Sequence, residues 1–290
     1  IDAGLALLAS AVDRQPDSER LFRRVTKQIE THGGVSALAV WLEQASSRPL
    51  EEPLRVEALH RAARLFRERL ADVAAARRVW ETILSIRPQD KDAFDAAVQA
   101  AGVVGEYPQQ VRLLEEALSG RMGPSSPTPE LRQSWLRLLA EAHKNAGDVE
   151  SAMACLKALL ASWPLESDAL SQLCAWHASR GEWEEILRLE SAAMEAREAR
   201  DSVVDVEGRR QLASLAEDRV GDPAAAGRYL EPLLDVLEDA ESIRRALYRL
   251  YEAAGDYPSR LRLLGGELLT ASKDDKLRLA RTILDSEGLE

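Results

Sequence analysis

The chain repeats itself. Gly105-Glu-Tyr-Pro-Gln-Gln-Val-Arg-Leu-Leu114 returns as Gly181-Glu-Trp-Glu-Glu-Ile-Leu-Arg-Leu-Glu190 and as Gly255-Asp-Tyr-Pro-Ser-Arg-Leu-Arg-Leu-Leu264, at offsets of 76 and 74 residues. A second set runs between these at the same offsets: Ala71-Asp72-Val73, Gly147-Asp148-Val149 and Gly221-Asp222-Pro223. Each of its members is followed by a small residue, Ala76, Ala152 or Ala226. Interleaved, the turn positions fall at 33, 71, 105, 147, 181, 221 and 255, so the spacing alternates between 34 and 38–42 residues. A unit of this size cannot bury its apolar face alone, so neighbouring copies must stack. The extra residues of the longer spacings fall in polar, Pro-bearing stretches, Ser46–Pro53 and Gly120–Pro129, and the second of these reads as a flexible loop between repeats.

Each unit reads as two helices. Apolar residues recur at intervals of 3 and 4, as in Leu136, Leu139, Ala140 and His143 and again in Ala152, Leu156, Leu159 and Leu160. That is the helical period, and no alternating stretch suggests a strand. A turn Gly ends the first helix in the left-handed conformation, and the acid after it stands at the start of the second. Pro88 and Pro164 stop second helices, and Asp90, Ser167 and Asp168 are placed to cap the helices that follow. Ala140, Ala152 and Cys174 occupy positions where helices packed 8–10 Å apart have room only for a small side chain.

The predicted fold is all-α: a right-handed superhelical solenoid of antiparallel helix hairpins, with about 16 helices across residues 1–290. The hairpins are expected near 19–46, 54–88, 91–119, 130–163, 167–199, 204–238 and 241–270, with partial ones at 1–16 and 274–288. The partial hairpins, the initial Ile1 and a closing Leu289–Glu290 of the kind left by a cloning site suggest a segment of a longer array.

These residues resemble the tetratricopeptide repeat family, whose 34-residue helix–turn–helix units carry a small residue in each helix and a closing Pro. Leu136, Leu139, Ala140, His143, Gly147, Ala152, Leu156, Leu159 and Pro164 fall on its pattern. His143 stands where the family usually has an aromatic, and Ile186 and Glu190 depart from the small and apolar positions. The alternating spacing is similar to that of large bacterial repeat proteins. The resemblance implies a concave groove lined by the first helix of each hairpin. Carried onto this register, the groove positions are Arg23 and Lys27, Arg61 and Leu65, Asp95 and Gln99, Arg137 and Glu141, Ser171 and Ala175, Gln211 and Leu215, and Arg245 and Arg249. The partner-binding candidates among them are Arg23, Lys27, Arg61, Asp95, Gln99, Arg137, Glu141, Gln211, Arg245 and Arg249. Family members that grip a C-terminal carboxylate use a Lys/Asn/Arg clamp. Ser171 and Ala175 break that clamp, so the resemblance does not imply a receptor for chaperone tails.

The implied function is a protein–protein interaction scaffold that binds a peptide or protein and is not an enzyme. The alternative is a structural or regulatory spacer in a larger protein whose chemistry lies elsewhere. A net charge of −11 opposes non-specific nucleic-acid binding and attraction to anionic lipid, and no apolar run is long enough for a membrane span. No phosphate loop, nucleophile elbow or zinc-protease motif occurs, so neither a cofactor nor a catalytic residue is predicted. Cys155 and Cys174 are too few for a disulfide framework, which favours the cytoplasm, although an extracytoplasmic compartment would also tolerate two cysteines. With His143 and His177 these cysteines form the one set of possible zinc ligands, but their register positions call for core side chains and no metal is predicted. Tyr107, Trp183 and Tyr257, each following a turn Gly and its acid, are expected to pack between repeats.

Overall fold

The computed structural model describes residues 19–48, 50–237 and 240–270, with side chains through residue 265. Among the described residues there are fourteen α-helices and no strand. The partial hairpins expected at 1–16 and 274–288 lie outside the described residues. The chain divides into two compact units, Ile1–Leu159 and Leu160–Glu290.

In the first unit, hairpins are formed by α1 (Glu19–His32) with α2 (Gly34–Glu43), α3 (Glu52–Glu68) with α4 (Val73–Ile86), and α5 (Lys91–Val104) with α6 (Tyr107–Leu118). A fourth is formed by α7 (Pro129–Asn145) with α8 (Val149–Ser162), whose last three residues pass the boundary. One apolar cluster runs from Phe22 to Leu139, through Leu42, Leu59, Ile83, Phe94 and Leu114. Ala62, Ala76, Ala97 and Ala152 are wholly buried, as expected where backbones approach closely. The stripe on α7 differs in detail from the sequence expectation. Trp135 is buried beside Leu139 and Ala140, whereas Leu136 and His143 are half-buried.

The second unit holds α9 (Ser167–Ser179), α10 (Trp183–Asp201), α11 (Val206–Leu215), α12 (Pro223–Leu230), α13 (Glu241–Ala254) and α14 (Tyr257–Thr270). Its cluster includes Met194, Leu212, Ala216, Leu230, Leu233, Leu247 and Tyr251. A π-helical turn, Ala216–Val220, extends α11. Gly227 on α12 lies under Tyr251: a Cβ there would stand 3.1 Å from the ring. The start of α11 is clamped to the end of α10 by Glu198. This carboxylate accepts two bonds from Arg209, at 2.7 and 2.6 Å, and one from the Asp205 amide at 2.8 Å. The Arg209 bond is the main cause that holds the Glu198 carboxyl below its usual range.

The turns show why Gly and Asp recur. Gly105, Gly147, Gly181, Gly221 and Gly255 all adopt positive φ, between 68° and 85°. After four of them the next amide donates to a carbonyl five residues back, as from Asp148 to His143 at 2.9 Å, which closes the helix end. At the equivalent place in α3–α4 the sequence has Ala71, which is forced to φ 54°. The first turn shifts by one residue: Gly33 stays near helical values at φ −97°, and Gly34 takes φ 76°.

Asp72, Asp148, Asp222 and Asp256 each accept an amide hydrogen three residues on, at 2.8–3.1 Å. Glu106 and Glu182 do not cap. Their extra methylene carries the carboxylate elsewhere, Glu106 to Arg77 at 2.7 Å and Glu182 to His177 at 2.5 Å. Asp90 caps α5, bonding the Ala93 amide at 3.0 Å, but α9 begins after Glu166, and neither Ser167 nor Asp168 supplies the expected cap.

The Gly120–Pro129 loop is tied down, contrary to the flexible reading. The amide of buried Gly123 donates to Pro88 O at 2.7 Å, and Ser125 Oγ donates to Gln89 at 3.0 Å. Gly123 has φ 74°, and a Cβ there would touch the Phe94 ring at 3.4 Å. The loop covers one side of Phe94, which leaves that ring to help form the hollow described next.

Candidate interaction surface

Two hollows open along the first helices of the first unit. The smaller, about 290 Å³, lies between α1 and α3. The α1–α2 hairpin builds its floor: Phe22 stacks on Trp41 at 5.8 Å, and the Trp41 indole donates to Thr26 Oγ1 at 3.2 Å, which fixes the ring. Beneath Trp41 the Arg48 guanidinium sits 3.6 Å from the ring centroid. Arg23, Lys27 and Arg61, carried on two helices, meet at the rim of this hollow together with Glu30 and Glu57. Arg61 Nη2 binds Glu30 Oε1 at 2.5 Å, linking the first helices of adjacent hairpins, and Arg23 binds Glu19 at 2.5 Å.

The larger hollow, about 520 Å³, lies chiefly between α5 and α7. Phe94 and Trp135 meet edge to face at 5.3 Å in its floor, and Asp92, Asp95, Gln99 and Ser134 are among its polar lining. Burial pushes the Asp95 carboxyl above its usual range; Lys91 opposes the shift and Asp92 adds to it.

The other candidates stand differently. Arg137 and Glu141 are exposed on α7 and line neither hollow. In the second unit Gln211 donates to Glu207 at 3.0 Å, and Arg245 binds Glu241 at 2.9 Å, both within one helix turn. Arg249 presents two nitrogens to Glu217, at 2.6 and 2.8 Å, and Glu217 lies in the π-helical turn of the preceding hairpin. Arg61 and Arg249 are thus engaged with the neighbouring repeat, which sequence spacing did not reveal. Trp135, Asp92 and Gln110 were missed as lining residues. The available signal was an aromatic next to the apolar stripe of α7, on the side turned to the preceding hairpin.

Cys174 and His177 are each bonded to a carboxylate of their own hairpin. Cys174 donates to Glu190 at 3.7 Å, and burial, reinforced by that carboxylate, pushes its thiol up to about 12. His177 is buried and hydrogen-bonded through Nδ1 to Glu182. Among the described residues no three of His, Cys, Asp and Glu converge where a metal ion could sit. Of the aromatics after the turns, Trp183 packs between repeats, with Arg219 4.9 Å from its centroid. Tyr107 is half-buried, whereas Tyr257 is 59% exposed and does not pack as expected. No described helix is long and apolar enough to cross a membrane.

The hairpin array is tetratricopeptide-like. That statement rests on the 34-residue hairpin, the left-handed Gly turn, the acid after it and the small residues at the helix contacts. No family model matches the chain, and no curated protein does. Solved structures with a partial likeness include the Naa15/Naa10 complex bound to HypK-THB, at 16% identity and TM-score 0.46. That match covers 97% of this chain and 43% of the other. Others are a tetratricopeptide repeat protein from Parabacteroides merdae, at 14% identity, 79% and 88% coverage and TM-score 0.38, and MamA, at 12% identity, 61% and 97% coverage and TM-score 0.38. These likenesses are too distant to carry an argument about function.

Proposed function

We propose that this chain is a non-catalytic scaffold that holds a segment of another protein along the first helices of its hairpins. The observation that carries the reading is the convergence of Arg23, Lys27 and Arg61 from two helices on one open hollow with an apolar floor. A floor that fits side chains, ringed by charges that fix orientation, is the usual form of a peptide site. The larger hollow, with Asp95 and Gln99 at its edge, extends that surface along the same unit. Arg137, Glu141, Gln211, Arg245 and Arg249 are proposed as further contacts.

One observation favours the spacer reading for the second unit. Arg249 is held in a two-pronged pair by Glu217 of the preceding hairpin, a link between repeats, whereas Arg245 pairs only with Glu241 of its own helix. The test is a peptide-display selection against the whole chain, followed by affinity measurements on Arg23→Glu/Lys27→Glu. Both side chains are exposed, so the substitution leaves the core intact. The scaffold reading expects selected peptides to weaken by about tenfold or more on charge reversal. A folded chain that selects no peptide supports the spacer. Peptides that bind the reversed variant equally well place the contact elsewhere.

A further inference from the structure

We infer that the hollow between α5 and α7 seats a basic side chain, an arginine or lysine on the partner segment. Its methylene stem would lie against Leu131 and Leu138 beside the Phe94–Trp135 pair, and its charged head beside Asp92 and Asp95. The inference rests on the scaffold reading and gives the chemistry of one of its contacts.

Size comes first: about 520 Å³ is within the usual range for a ligand cavity and ample for one long side chain. The floor comes next. Phe94 and Trp135 are themselves almost wholly buried, and beside them the half-buried Leu131 and Leu138 offer the apolar surface along which the stems of Lys and Arg lie. Charge then selects among occupants. Asp92 and Asp95 are three residues apart on one helix and therefore share a face. Both line the hollow and both are open to solvent, with the Asp95 carboxyl raised above its usual range chiefly by partial burial. Lys91 acts on Asp95 from the first turn of α5 but leaves its carboxyl raised. The arginine of the wall, Arg67, binds Glu68 at 2.7 Å and stands 5.4 Å from the Trp80 centroid, so it is directed to its own neighbours.

A neutral occupant would cover Asp95 without balancing its charge, and an acidic one would add repulsion. A cation removes both difficulties. Gln99 and Ser134 at the same hollow supply acceptors for the remaining N–H groups of a guanidinium. The chain's net charge of −11 draws a basic segment in from a distance.

The test uses the whole chain labelled with 5-fluorotryptophan, the Trp135 fluorine signal being assigned with Trp135→Phe. N-acetyl-arginine amide is titrated in, with N-acetyl-glutamine amide and N-acetyl-glutamate amide as neutral and acidic counterparts. The expected result is a saturable shift of the Trp135 signal with the arginine probe at roughly millimolar concentration, and a response at least about fivefold weaker with the other two. In Asp92→Asn/Asp95→Asn, which keeps side-chain size, the arginine response should fall about tenfold or vanish. Added salt should weaken it in the wild type. An equal response to the glutamine probe, an unchanged response in the double variant, or a Trp135 signal that never moves overturns the inference. The probe needs no partner segment, so the two readings fail separately. A silent Trp135 alongside successful peptide selection removes the basic seat and keeps the scaffold. A saturable arginine response in a chain that selects no peptide keeps the cation preference and removes the scaffold.

Discussion

Replacing Ala71 by Gly should make the protein more stable, which is the reverse of the usual effect of Gly near a helix. Ala71 holds φ 54° at a turn where the equivalent residues Gly105, Gly147, Gly181, Gly221 and Gly255 hold φ from 68° to 85°. An L-residue in the left-handed region is strained by about 1–2 kcal/mol, because its Cβ crowds the following carbonyl. Gly removes that strain but frees the unfolded chain, which costs about 0.4–1 kcal/mol. The difference favours Gly by about 0.5–1 kcal/mol. Ala71 is exposed, so losing its methyl forfeits no buried surface.

The mirror experiment is Gly147→Ala. It should destabilise by about the same amount, because a Cβ at Gly147 meets nothing within 4 Å and only the backbone term changes. Urea unfolding followed by far-ultraviolet circular dichroism measures both variants. Thermal midpoints should move by roughly 2–4 °C per kcal/mol in a unit of this size, upward for Ala71→Gly and downward for Gly147→Ala. A loss of about 0.5 kcal/mol or more in Ala71→Gly would refute the reasoning, because unfolded-state entropy would then outweigh any strain in the turn.

Gly123→Ala should destabilise the first unit by about 1–2 kcal/mol, since it adds backbone strain at φ 74° and presses Phe94 at 3.4 Å; differential scanning calorimetry reads the loss. Ala152→Trp should cost about 1–3 kcal/mol or more, because residue 152 is wholly buried, and unchanged thermal unfolding would sink the helix register. Acid should weaken the second unit through Glu198. Its folded pKa lies below the ordinary glutamate range, so its contribution is present above that range and is lost as pH falls through the folded value. Glu198→Gln should therefore be less stable than wild type at neutral pH, with the gap narrowing on acidification in unfolding titrations from pH 7 down to about pH 3.

Local chemistry made much of this molecule legible in its sequence. The positions of Gly105, Gly147, Gly181, Gly221 and Gly255 fixed the helix ends, because only Gly takes positive φ without strain. Ala76, Ala152 and Ala226, all wholly buried, marked close contacts, because backbones 8–10 Å apart exclude larger side chains. Both follow from short-range rules that repeat with the sequence. Capping was legible only in part: Asp and Glu look equivalent after a turn, yet the shorter side chain reaches the amide three residues on and the longer one goes to Arg77 or His177.

What touches what between repeats was decided by tertiary structure. Arg61 and Glu30 are 31 residues apart and Arg249 and Glu217 are 32 apart, and nothing in the spacing distinguishes them from unpaired surface charges. The hollow over Phe94 and Trp135 forms where α5 and α7, on successive hairpins, pack side by side. Periodicity names the face of a helix, whereas a cavity and its charges depend on the distances that packing sets between faces.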